Sequence, residues 1–261
     1  MAFDKEQVNV VEKARRLSFA DFDKIELSQG GVRIIANLFL NPDCLIDVNL
    51  EAYIDKEKVY LADLSKHIMT AAPATLAVYA KDNKKLYLTR DDVIRCFALD
   101  HLDTIADNEI IKLNGAAYAL AHALSLVTIS NIENRDDVRV VELQQENIIY
   151  KNVIVPDNLE VKIGDEVWHH FGVLIDMKSD EDEKIFSEQK VHNYWLEIIK
   201  KVQVDTIDFT DEQTFNKNVY KKILNEVNNR KSGHYEQVAK QSELDRAANN
   251  NSKVNKIMFT N

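Results

Sequence analysis

Glycine and proline are scarce in this 261-residue chain, at 6 and 3 residues, where average usage gives roughly 18 and 13. Sites assembled from glycine turns go with them: no Gly-rich phosphate loop and no Gly-x-Ser-x-Gly elbow is present. Cysteine is scarcer still. Cys44 and Cys96 each stand among apolar neighbours and read as small buried hydrophobes of a reducing compartment, not as a disulfide framework. Neither a Cys-x-x-Cys pair nor His-Glu-x-x-His occurs, so no metal and no cofactor is expected. No run of 18 apolar residues exists, and the opening Met1-Ala2-Phe3-Asp4-Lys5-Glu6 is charged. Neither a membrane span nor a cleaved signal is expected, and the location is read as cytoplasmic or within an assembled particle.

What is there belongs to an ordinary globular chain, with 45% hydrophobic and 29% charged residues. The net charge of -10 opposes generic polyanion binding, yet its distribution is uneven. Residues 131–185 hold 6 basic and 14 acidic side chains, whereas the stretch from Asn216 onward holds 9 basic against 4 acidic. An acidic middle is followed by a basic tail. Lys217, Lys221, Lys222, Arg230 and Lys231 are therefore the candidates for contact with nucleic acid or with an acidic partner. Base-stacking aromatics near these side chains are few, with Tyr220 and Tyr235 as the candidates.

Periodicity predicts an α+β fold: an antiparallel meander packed with helices, followed by a helical C-terminal segment. Val8, Val11 and Leu17 mark an opening helix. Gly30-Gly31 reads as a turn before a strand or short buried helix over 32–40. Leu76 to Tyr79 and Leu86 to Leu88 flank Lys81-Asp82-Asn83-Lys84-Lys85 and read as a β-hairpin. Thr89, with Asp91 and Asp92 behind it, is set to cap a helix over 90–99. A short helix is expected over 103–112, and an Ala-rich, wholly buried one over 116–127. Strands are expected over 138–143, 148–155, 159–163 and 167–175, joined too tightly for parallel crossovers.

Beyond Asp176 the apolar spacing turns helical, through Val191, Trp195 and Val202, and again through Phe215, Val219, Ile223 and Val227 behind a Thr210/Gln213 capping box. Ser232-Gly233 ends that helix, and a weaker one carries Tyr235 and Val238 to about Ala248. The domain reading is a mixed body over 1–178 and a helical segment over 179–261. That segment carries the basic tail and an apolar hook of Ile257, Met258 and Phe259.

His169-His170 is the most conspicuous histidine pair, but neighbours on a strand point to opposite faces. His169 is expected in the core and His170 half-exposed. Asp176, Asp180, Glu181, Asp182 and Glu183 do not make a calcium loop, because Glu181 stands where glycine is required. Asn114, Tyr118, His122 and Ser125 are spaced as one polar helix stripe, a surface for a neighbouring element or subunit.

The function read from these features is a non-enzymatic structural protein, a virion- or capsid-like component of a multi-copy particle. It associates with copies of itself through Tyr118, His122 and the hook, and nucleic acid is a further partner for the basic tail. The alternative is a monomeric cytosolic adaptor or effector that binds one protein through its polar stripe and acidic middle. An enzyme with an unrecognised site near His122 or His170 is the third.

Overall fold

The computed structural model describes residues 22–40, 56–65, 71–100, 115–186, 200–202, 204–213 and 218–234, with Tyr53, Phe215 and Gln237. The helices expected over 8–17 and 103–112, nearly all of the one around Trp195 and most of the last one lie outside the described residues, as do Cys44, Lys217 and the hook.

The N-terminal half is a small three-stranded sheet with helices packed on it. Strand β1 (Glu26–Leu27) leads into α1 (Gln29–Leu38), β2 (Val59–Tyr60) into α2 (Leu61–Ser65), and α3 (Ala71–Asp82) into β3 (Tyr87–Leu88), which runs parallel to β1. Gly30-Gly31 is not a turn. Both residues lie in the first turn of α1, where the Ser28 hydroxyl caps the Gly31 amide at 3.0 Å. A Cβ on Gly30 would stand 3.0 Å from Arg90 Cβ, and one on Gly31 3.2 Å from Val93 Cγ2. The pair lets α1 and α4 (Arg90–Arg95) come together.

The expected hairpin at Leu76 is corrected to a helix. Five alanines between Ala71 and Asp82 favour α3, and Pro73 lies in its first turn, where its missing N–H is harmless. Lys84 adopts the left-handed conformation, φ 54°, just past the helix end. The helix begun at Thr89 forms as expected. Its hydroxyl takes the Asp92 amide and the Asp92 carboxylate takes the Thr89 amide, a full capping box. Residues Cys96–Asp100 continue it as a π-helical turn, with Cys96 fully buried.

Helix α5 (Ala116–His122) is shorter than the Ala-rich pattern suggests, because Ser125 already opens β4 (Ser125–Arg135). Hairpins then join β4 to β5 (Val138–Gln145), β5 to β6 (Ile148–Val155), and β7 (Glu166–His170) to β8 (Val173–Met177). These are not a plain meander. Strand β4 also pairs β7, and β8 pairs β6 in parallel at Ile154 and Val173, so the five strands close into a barrel. The stretch from Leu159 to Ile163 is irregular rather than a strand, and the run Val167 to Ile175 is split by a Phe171-Gly172 turn with both φ positive.

After α6 (Asp182–Phe186) the chain returns as β9 (Thr206–Asp208), parallel to Ile149–Lys151 of β6. One edge of β6 is thus shared by β9 and β8, with β5 on the other edge. Asn152, at φ 59°, stands at the changeover, where the β5–β6 register also shifts. The last described helix, α7 (Val219–Lys231), is capped by Asn218, which takes the Lys221 amide, and not by Thr210, whose hydroxyl bonds Asp208. It ends at Ser232 as expected.

One apolar cluster joins the described elements. Phe209, Phe215 and Ile223, all beyond Ser179, are buried with Phe171, Trp168 and the α1 side chains. Among the described residues no helix is long and apolar enough to cross a membrane.

Candidate functional site

The sequence candidates Tyr118, His122 and His170 do meet. Helix α5 ends where the β7–β8 turn begins, and Ala121 O takes the Phe171 amide at 2.7 Å. The Tyr118 and His122 rings stack at 6.0 Å, His122 lies 4.9 Å from His170, and Phe171 meets Tyr118 edge-on at 4.9 Å. Ser125 does not extend their stripe, since it is a fully buried strand residue, and Asn114 lies outside the described residues. His170 is 5% exposed, a correction to its half-exposed reading. The reason is that α1 and α5 lie over the barrel wall that β7 and β8 form.

His169 is fully buried, as expected for a core histidine. Its Nε2 accepts the Gly172 amide at 3.2 Å, which leaves the proton on Nδ1. No hydrogen-bond partner for that Nδ1 exists among the described residues. Burial holds the imidazole down to about 3, so it is neutral at any ordinary pH. The cluster is an aromatic packing centre with neutral His169 beneath it. Among the described residues, no three His, Cys, Asp or Glu side chains converge as a metal site.

Two carboxylates from the rejected calcium pattern have a different partner, one the sequence reading missed. Asp176 and Asp182 are 2% and 0% exposed, and both bind Arg90, at 2.7 Å from Nε and 2.8 Å from Nη1. Arg33 adds a second guanidinium to Asp176 at 3.2 Å. These bonds tie α1 and α4 to the barrel. The only trace in the sequence is an arginine in the first turn of a helix, where a cation opposes the dipole and so implies a strong local anion.

The basic candidates on α7 are largely turned to the chain's own acids. Lys231 reaches Asp157 at 3.1 Å, and Lys221 stands 3.9 Å from Glu212. Tyr220 donates its hydroxyl to Asp136 at 3.0 Å; its own burial, and then that carboxylate, push its titration up to about 12. Arg230 is corrected from surface to interior. It is buried, bonds Glu226 at 3.0 Å, and points at the Ala36 and Phe39 carbonyls, each 3.4 Å away at the end of α1, where a cation suits the helix dipole. Helix α7 therefore spans the barrel surface from Asp136 to Asp157.

Several further acids face solvent. Asp137, Glu146, Glu160 and Asp180 are exposed. A polar depression of about 280 Å³ opens on the outer face of β4, β5 and β6, with Asp208 and Thr210 on its rim. Its signal in the sequence was faint: Val140-Val141 breaks the strand alternation beside a bulge. Comparison of the chain with protein-family models, with curated proteins and with solved structures finds no match in any of the three.

Proposed function

We propose that this chain is a non-enzymatic assembly protein that associates with copies of itself in a multi-copy particle. The acidic barrel of one copy receives the basic C-terminal segment of another, with Ile257, Met258 and Phe259 as apolar anchors. The observation that supports this reading is the use of the same complementarity inside one chain, where α7 lies on the barrel through Lys231–Asp157 and Tyr220–Asp136. Five further basic residues lie outside the described part of the tail, Lys217, Lys240, Arg246, Lys253 and Lys256, and the exposed barrel acids offer them partners. Nucleic acid is the weaker partner of that tail, because Arg230 is buried and Lys221 and Lys231 already have acids beside them.

Light scattering of the full chain and of a chain ending at Asn249, at low and high salt, tests the reading. The expected result is an oligomer that falls to monomer on truncation and weakens with salt. A monomer in every condition overturns it. Added oligonucleotide, expected to leave the mass unchanged, examines the nucleic-acid role in the same measurement.

A further inference from the structure

We infer that the depression on β4, β5 and β6 is a binding site for a neutral polyhydroxylated ligand the size of one hexose. The inference starts from the bulge in β6. Asn152 holds φ 59°, a left-handed conformation that asparagine adopts readily, at a bulge of the kind that re-aims a side chain beside functional sites. Its side chain is fixed from both sides: the amide oxygen takes Arg135 Nη1 at 2.6 Å, and the amide nitrogen donates to Asp208 Oδ1 at 2.6 Å. The bulged register of β5 on β6 aims it into the depression.

Hydrogen-bonding capacity then defines the ligand. Asp208 Oδ1 accepts three donors, from Asn152 and from the amide and hydroxyl of Thr210, which leaves Oδ2 as a further acceptor on a residue of the lining. Three acids, Glu133, Glu142 and Asp208, and two bases, Arg135 and Lys151, belong to the lining. Glu133 stands 3.8 Å from Arg135 and Glu142 3.6 Å from Lys151, loose pairs that retain capacity for a further partner. Such a lining disfavours an anion, and L-lysine is the charged competitor that the test below includes. A hydroxyl, donor and acceptor at once, matches every member. The volume equals about nine waters of liquid. The site does not depend on the self-association proposed above.

Proton–nitrogen NMR shifts of the full chain, titrated separately with D-glucose, D-galactose, D-mannose and N-acetyl-D-glucosamine, test it. Saturable shifts in the millimolar range are expected with at least one sugar, confined to the amides around Asn131, Lys151, Asn152 and Thr210. Two variants should abolish them with the rest of the spectrum intact. Asn152→Gly keeps the left-handed backbone and deletes the amide, and Asp208→Asn keeps the shape and removes the charge. No saturable shift with any of the four sugars overturns the site, as do shifts that survive both variants. An equal response of the same amides to inorganic phosphate or to L-lysine also overturns it, since that marks a generic charged surface.

Discussion

Arg90 and Asp182 are joined by two parallel bonds of 2.8 Å, Nη1 to Oδ1 and Nη2 to Oδ2, although 92 residues separate them in the chain. The geometry is the planar fork that lysine cannot reproduce. Arg90→Ala leaves Asp176 and Asp182 buried without their main cation, and should destabilise the fold by about 3–5 kcal/mol. Arg90→Lys, which keeps the charge and loses the fork, should fall between it and the parent. Urea unfolding of the three proteins measures this, and an Ala variant as stable as the parent contradicts the role given to the pair.

Acid should unfold the protein in two stages, the first from His169. Its folded value near 3 lies below the unfolded value of about 6.5, so the unfolded chain takes up the proton first and stability falls as pH drops between the two. By pH 5 the loss should be roughly 2 kcal/mol. His169→Gln, whose amide oxygen can still accept the Gly172 N–H, should flatten this part of the curve.

The second stage belongs to Asp182. Burial raises its carboxyl, and bonds from Arg90, the Ser179 amide and Trp168 outweigh that, holding it below its ordinary value. Its stabilising contribution is complete above the unfolded carboxylate range near pH 4 and is lost as pH falls through the lower folded value. Asp182→Asn should remove this stage while the histidine stage persists, as read by stability measured across pH.

Gly172→Ala should destabilise the barrel by about 2 kcal/mol. The residue holds φ +84°, and a Cβ there would stand 3.1 Å from the Phe209 ring. Gly164, at φ +90° with open space around it, is the control: alanine there meets the backbone penalty alone. Thermal unfolding of both variants separates strain from crowding, and equal losses would argue against a packing role for Gly172.

Thr89→Ala should lower stability by about 1 kcal/mol through loss of the cap on α4, with Thr89→Ser close to neutral. Hydrogen exchange at the Asp92 amide, which the Thr89 hydroxyl accepts at 3.2 Å, gives a local readout beside the global one.

Local chemistry was legible in the sequence where one short segment decides the outcome. Thr89 and Asp92 announced their helix, and Ser232-Gly233 the end of α7. The failures have a common physical cause. Leu76 to Tyr79 carries strand-like side chains within an alanine-rich stretch, and helix propensity prevailed over the turn signal at Lys81 to Lys85. Barrel closure rests on Ile154 meeting Val173, a pairing that no periodicity encodes because it depends on register between distant strands. Strand β9 is three residues long, shorter than any alternation can reveal. The candidate site divides in the same way. Tyr118 and His122 share a helix and were found together, whereas Asn152 and Asp208 come from different strands and were not.

Strand β6 holds β8 along one half of an edge and β9 along the other, and this sets an order of events during synthesis. Residues 125–177 can fold back on themselves as they leave the ribosome, yet half of that edge stays bare until Asp208 has emerged. A nascent chain at that point presents unpaired backbone groups beside Tyr150, the kind of surface that recruits a neighbouring strand. Translation pauses ahead of residue 208 would prolong that vulnerability, and rapid elongation through the same stretch would shorten it.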